Sequence, residues 1–270
     1  MAIFETLTVG RLKANDIQAT RDAFTKWRFG QAMAAACTNS SATTNIPVNA
    51  NFAGSLNPTL VTYGAVNAST AKRILKCALP VSGVAVLTAG ASTATGDIMN
   101  MAVLAKGGGQ APAYDIFAAG ILSTGTSAAP TATIAGALAT DIPLVMKKTT
   151  AGTARLVDAA VMTANTLTLT LAAAATVTHD YYYVILRQAG SFVPSHKIVA
   201  AGYSAFVPAA AAGTITITGA KAGDICVASV NLTNQTNELL YGALTANTLT
   251  LTCAGDPGTA GVSYVVARKA

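Results

Sequence analysis

The sequence predicts a mainly β chain, with an N-terminal helical arm followed by antiparallel β-sandwich-like units, the last two of which form a tandem repeat. Three observations predict it. Thr163-Ala-Asn-Thr-Leu-Thr-Leu-Thr170 recurs letter for letter as Thr245-Ala-Asn-Thr-Leu-Thr-Leu-Thr252. Apolar residues alternate with Thr at period two between Gly, Pro, Asn and Asp, which is the pattern of half-buried strands. Only 10% of the chain is charged, while 52% is hydrophobic. A disordered chain has the opposite balance. Ala and Thr, 57 and 37 residues, supply the surface that charge does not. Such a surface is sparsely hydrated and costs little to bury against a neighbouring subunit.

The elements follow in chain order. Over Asp16–Gly30 the apolar residues Ile17, Phe24, Trp27 and Ala34 recur at steps of seven and three, with Asn15 or Asp16 able to cap a helix. Arg21, Lys26 and Arg28 fall off that stripe. Such a helix either packs on its own domain or serves as an arm docking on a neighbour. Residues 38–58, rich in Thr, Asn and Ser, read as an extended linker, so that 1–58 forms the arm segment. A β domain over 59–126 has candidate strands at Leu60 to Val66, Arg73 to Leu79, Val84 to Leu87, Asp97 to Ala105 and Tyr114 to Leu122. Lys106-Gly-Gly-Gly-Gln-Ala-Pro-Ala113 reads as a long hairpin tip.

The repeat copies occupy 127–190 and 191–270, the second matching best from 210. Besides the shared octapeptide, Thr131-Ala-Thr-Ile134 parallels Thr214-Ile-Thr-Ile217, Gly136-Ala137 parallels Gly219-Ala220, and Asp141-Ile142 parallels Asp224-Ile225. Downstream, Tyr183–Arg187 parallels Tyr264–Arg268. Five blocks in one order make a duplication of four or five strands per copy. Gly96-Asp97-Ile98 is a fainter third echo. Leu167 and Leu169 lie on one face and the threonines between them on the other.

No motif for chemistry stands in the chain. There is no G-x-S-x-G, H-E-x-x-H, P-loop or dinucleotide fingerprint, and the Gly107–Gly109 run has no Lys-Ser/Thr after it. His179 and His196 read as solvated loop histidines. Cys37, Cys77, Cys226 and Cys253 lack C-x-x-C spacing and read as small buried hydrophobes. No enzyme activity, cofactor or metal is expected. Tyr181-Tyr-Tyr183 alternates across a strand, and packing is preferred there over sugar stacking.

Lys+Arg exceed Asp+Glu by 17 to 11. The densest basic segment, Arg11, Lys13, Arg21, Lys26 and Arg28, is offset by Glu5, Asp16 and Asp22, five positive against three negative. That is too weak for a nucleic-acid groove and suits an acidic protein partner. Arg11, Lys13, Ile17, Arg21, Phe24, Trp27 and Arg28 are the candidate partner-binding residues. No uncharged apolar run reaches the roughly 18 residues of a membrane span, and Met1–Val9 has no signal-peptide pattern, so synthesis in the cytoplasm is expected.

The leader Met1–Lys13, the Ala/Thr/Gly-rich β body and the unit Gly223–Arg268 together resemble tailed-bacteriophage virion proteins, particularly head-decoration or cement proteins. In that unit Gly-Asp-Ile-x-Val-Ala-Ser-Val is followed by Thr-Ala-Asn-Thr-Leu-Thr-Leu-Thr, Asp-Pro-Gly and Ser-Tyr-Val-Val. The resemblance implies a non-enzymatic virion protein, a homo-oligomer and often a trimer, bound to the major capsid protein. A tail or fibre adhesin that binds host glycan, and a self-assembling tube or shell subunit, are the alternatives.

Overall fold

The computed structural model describes residues 27–38, 41–49, 58–65, 74–77, 83–89, 93–94, 97–106, 113–148, 157–206, 211–231, 239–256 and 260–270. Its strands in the first half are β1 (Trp27–Ala36), β2 (Thr43–Pro47), β3 (Thr59–Ala65), β4 (Ile74–Cys77), β5 (Val84–Ala89), β6 (Ile98–Lys106) and β7 (Tyr114–Ser123). The first copy continues with β8 (Thr131–Thr133), β9 (Ile142–Lys147), β10 (Val157–Thr163), β11 (Thr166–Leu171) and β12 (Asp180–Gln188). The second comprises β13 (His196–Phe206), β14 (Ala212–Thr216), β15 (Ile225–Asn231), β16 (Leu239–Thr245), β17 (Thr248–Cys253) and β18 (Ala260–Lys269). The described residues contain no helix. Every strand pairing among them is antiparallel.

Two six-stranded sheets carry the fold. The first runs β3-β6-β1-β7-β12-β9 and the second β13-β18-β15-β4-β5-β2, while β10-β11-β8 and β14-β17-β16 form two small sheets. The main core lies where the first large sheet meets the second and the β14-β17-β16 sheet, and includes Phe29, Leu60, Leu104, Leu144, Val184, Val227, Val265 and Leu249. The opposite face of the first sheet is covered in two halves. Met99, Met101 and Val103 pack under Ile46, Ala85 and Leu87, and Val145, Tyr181 and Ile185 under Leu167, Leu169 and Met162.

The duplication is structural as well as sequential, and it takes in one strand more than the matching blocks. β7-β12-β9 with β10-β11-β8 has the same pairing as β13-β18-β15 with β16-β17-β14. Each unit is therefore a small two-layer sandwich of three strands on three. Glycines mark the equivalence. Gly120 lies opposite Tyr183 and Gly202 opposite Tyr264, each leaving room for the tyrosine ring across the ladder.

The faint third echo has a physical basis. The Ala94 amide donates to Asp97 Oδ2 at 2.8 Å, as Leu138 does to Asp141 at 2.9 Å and Lys221 to Asp224 at 2.8 Å. Each aspartate closes a turn directly before a strand that opens on isoleucine, Ile98, Ile142 or Ile225.

Sequence expectations fail in four places. The helical stripe does not survive at Trp27, because Trp27–Ala36 is a strand set between β6 and β7. Ala-rich sequence favours helix, but pairing with β6 and β7 places the segment inside the sheet, where apolar contacts on both faces at its start remove the period-two signal. Phe29 and Ala32 face the main core while Met33 and Ala35 pack on the other, and the register shift at Gly30 is a bulge that breaks the alternation. The rest of the expected helix, 16–26, lies outside the described residues.

Second, the linker over 38–58 contains β2, whose Thr44 and Ile46 alternate inward and whose Pro47 ends an edge strand, where a missing donor is tolerated. Gln31 clamps that end, its Nε2 donating to the Pro47 carbonyl at 3.1 Å and its Oε1 accepting from Asn49 at 2.9 Å. Third, β6 and β7 are not a hairpin, since β1 lies between them. Fourth, the histidines are not solvated loop residues. His179 is 1% exposed, and His196 opens β13 opposite Lys269.

The outer strands of the first sheet are sealed by hydroxyls. The Thr59 amide donates to Ser263 Oγ at 3.1 Å and the Val61 amide to Ser229 Oγ at 3.0 Å. Thr62 Oγ1 accepts from the Val145 amide at 3.0 Å, tying β3 to β9. Small hydroxyl side chains thus replace a neighbouring strand, which satisfies buried edge amides without exposing them.

Candidate functional site

Among the described residues, two matching arginine–aspartate pairs lie at equivalent ends of the two units. In each unit the hairpin between the long octapeptide strands turns on an asparagine with positive φ, Asn165 at 61° and Asn247 at 59°. Asn tolerates this left-handed backbone better than other non-glycine residues. Asn165 Oδ1 accepts from the Gly136 amide at 2.6 Å, and Asn247 Oδ1 from Gly219 at 2.7 Å. Gly136 and Gly219 are themselves at φ 79° and 86°.

An arginine then closes each turn. Arg187 donates from Nε to Asp141 Oδ1 at 2.7 Å and from Nη2 to Asp141 Oδ2 at 2.6 Å and to the Gly136 carbonyl at 2.8 Å. Arg268 makes the same set to Asp224, at 2.6 Å each, and to Gly219 at 2.7 Å. Both fork pairs are bidentate, the strongest form of charge-assisted hydrogen bond. The side-chain hydrogen bond to Asp141 raises the Arg187 pKa. Burial pushes the Asp224 carboxyl up, but the Arg268 hydrogen bond and the Lys221 amide outweigh it, leaving the carboxyl below its ordinary value.

Above this common staple the units diverge. The Arg187 guanidinium lies 3.7 Å from the centroid of Phe117 and 5.6 Å from that of Phe192, and the two rings meet edge to face at 5.4 Å. Beside them Leu138 is 50% exposed and Val193 90%. In unit two Lys221 occupies the position of Leu138 and Val199 that of Phe117. One end of unit one therefore presents apolar and aromatic side chains where its duplicate presents a charge and a short aliphatic. An exposed apolar patch ringed by a fixed arginine has the composition of a protein-binding site.

The neighbourhood also holds Ser195, whose Oγ donates to the Phe117 carbonyl at 2.6 Å and lies 2.8 Å from His196 Nδ1. Burial and the Lys269 charge lower the His196 pKa. The serine proton is committed to a carbonyl, so the pair anchors Phe117 in place.

Of the candidate partner-binding residues, Arg11, Lys13, Ile17, Arg21 and Phe24 lie outside the described residues. Trp27 and Arg28 open β1. Trp27 is half-buried against the main core with Lys106 Nζ 5.9 Å from its ring centroid. Tyr181 and Tyr182 point to opposite cores, at 0% and 1% exposure, as strand alternation requires. Burial pushes the Tyr182 hydroxyl up to about 12. Cys226 and Cys253 are buried as expected, burial raising the Cys253 thiol to about 11. The Phe117–Arg187–Phe192 end was missed in the sequence. Its signal was legible one position beyond the matched Gly-Ala block, where Leu138 faces Lys221 in the alignment.

No protein-family model, curated protein or solved structure matches the chain.

Proposed function

We propose that the protein is a non-enzymatic structural component of a tailed-bacteriophage virion, a homo-oligomer that binds the major capsid protein and reinforces the head shell. The observation that carries this reading is the asymmetry of the duplicated units. The staple that stabilises both is the same, while the exposed Leu138 and the half-buried Phe117 of unit one stand where unit two has Lys221 and Val199, so the apolar end that they form with Phe192 and the exposed Val193 is not needed to hold the shared architecture. A surface poor in charge supports the same reading, because little hydration is lost when it is covered. The leader and the Gly223–Arg268 unit resemble decoration proteins, which indicates the partner.

The test mixes purified protein with DNA-filled heads that lack it and follows co-sedimentation. The wild-type chain is expected to bind, and a Leu138→Lys, Val193→Asp variant with an unchanged circular dichroism spectrum is expected to bind at least about tenfold more weakly, the loss of one or two apolar anchors. Heads that take up neither protein would refute the reading. Tubes or shells formed without a partner would make the chain the principal building block. Glycan binding through Tyr181 or Tyr182 has no support, since both rings are buried.

A further inference from the structure

The two units surround the same staple with different charges. Strand pairing puts Asp115 opposite Arg187 and Tyr114 opposite Gln188 in unit one, and Lys197 opposite Arg268 and His196 opposite Lys269 in unit two. Unit two therefore carries lysine, at Lys197, Lys269 and Lys221, where unit one has Asp115, Gln188 and Leu138. All three lysines are exposed. With Arg268 they make four cationic side chains against the one carboxylate of Asp224, which accepts from the Lys221 amide at 2.8 Å and holds the Arg268 fork. Like charges directly opposite each other on a sheet destabilise it, so Lys197 costs stability where Asp115 in the duplicate adds to it. A side chain that breaks a local rule without a gain to the fold marks a functional surface.

This cationic end is continuous with the apolar end of unit one. Ser195 Oγ donates to the Phe117 carbonyl at 2.6 Å and lies 2.8 Å from His196 Nδ1, and the Ala270 amide donates to the Ser195 carbonyl at 3.0 Å. Phe117, His196 and the residue after Lys269 thus meet at one serine. From Val193 to Lys197 the backbone can extend at most about 14 Å. An apolar centre with charge at its rim is the anatomy of a protein interface, and rim charges of one sign select and orient a partner of the opposite sign. A nucleic acid calls for cations along a groove, whereas these cluster at one end beside the exposed Leu138 and Val193.

We propose that this joint end of the two units docks an acidic polypeptide segment, its apolar side chains on Phe192, Val193 and Leu138 and its carboxylates on Lys197, Lys221 and Lys269. The inference rests on the reading of this end as the partner surface and adds the partner's chemistry. The test titrates the full-length chain at low ionic strength into a fluorescently labelled peptide that carries Phe and Leu beside a run of Glu, read by anisotropy. The wild-type chain is expected to bind this peptide, and to bind the same peptide with Gln in place of Glu at least about tenfold more weakly. A Lys197→Gln, Lys269→Gln variant is expected to bind the acidic peptide at least about tenfold more weakly than wild type, with a urea midpoint no lower, since a like-charge pair has been removed. Lys148→Gln, beside Asp180 at the other end of β12, is expected to leave binding unchanged. Equal affinity for the two peptides would overturn the proposal. Equal losses in the Lys148 variant and the double variant would do the same, by assigning the binding to net charge, as would tighter binding of a single-stranded oligonucleotide than of the acidic peptide. No head enters this titration, so heads that refuse the wild-type chain would refute the virion reading alone, and an acidic peptide that fails to bind would refute this inference alone.

Discussion

Asp141 and Asp224 each hold a turn amide and an arginine fork with one carboxylate, and the two sites differ in what surrounds the arginine. Arg187 is covered by Phe117, whereas Arg268 has Val199 at the equivalent position of its unit. The pH response follows from Asp224. Its folded pKa is depressed, so the group contributes stability above its unfolded value of about 3.9, and that contribution is lost as pH falls through the lower folded value. Urea titrations at stepped pH are expected to show stability dropping below about pH 4, with a shallower drop in Asp224→Asn, which has no carboxyl to protonate. An equal slope in both proteins would place the acid sensitivity elsewhere. The aspartates, arginines and asparagines were all legible as repeated letters. That they converge on one turn was not, because Asp141 and Arg187 are 46 positions apart and meet only when β9 pairs with β12.

At the level of strands, the Gly–Tyr pairs show why letter matching stops short of packing. A Cβ on Gly120 would lie 2.5 Å from the Tyr183 hydroxyl and 2.8 Å from Cζ, and one on Gly202 would lie 2.8 Å from the Tyr264 hydroxyl. The ring therefore sits on the glycine and would have to leave its seat for any larger residue. Gly120→Val is expected to destabilise by about 1–3 kcal/mol, the usual cost of overpacking. The cost should fall substantially when Tyr183→Ala is present, as a double-mutant cycle by chemical denaturation would show. Tyr183 and Tyr264 align in the sequence, but their partners depend on register, which no single strand carries. The same limit explains β1. Its apolar spacing fits a helix stripe, and only the pairing with β6 and β7, with the bulge at Gly30, makes it a strand.

Across the whole molecule the two units are not independent. The main core takes residues from both, from Ile116 and Tyr182 to Val227 and Val265. The Thr59 amide is satisfied by Ser263, 204 positions away. Removing unit two would expose that core face and leave buried edge amides without acceptors, each costing about 1–3 kcal/mol. A chain ending at residue 190 is expected to be aggregated or unfolded, while the full chain unfolds in one transition by calorimetry with coincident fluorescence from Trp27. A soluble, folded fragment 1–190 would show that the units stand alone.

The sequence by itself determined that the chain is β, that its C-terminal half is duplicated and where most strands lie, with β3 to β7 found within a few residues of Leu60, Arg73, Val84, Asp97 and Tyr114. Alternation and turn chemistry are local properties, so a single chain displays them. The tertiary structure alone decided the strand order, the conversion of Trp27–Ala36 from helix to central strand, and the joining of Phe117, Leu138, Arg187, Phe192 and Val193 at one end. These depend on pairing and burial between segments far apart in sequence, and pairing on both edges overrides the local propensity of Trp27–Ala36.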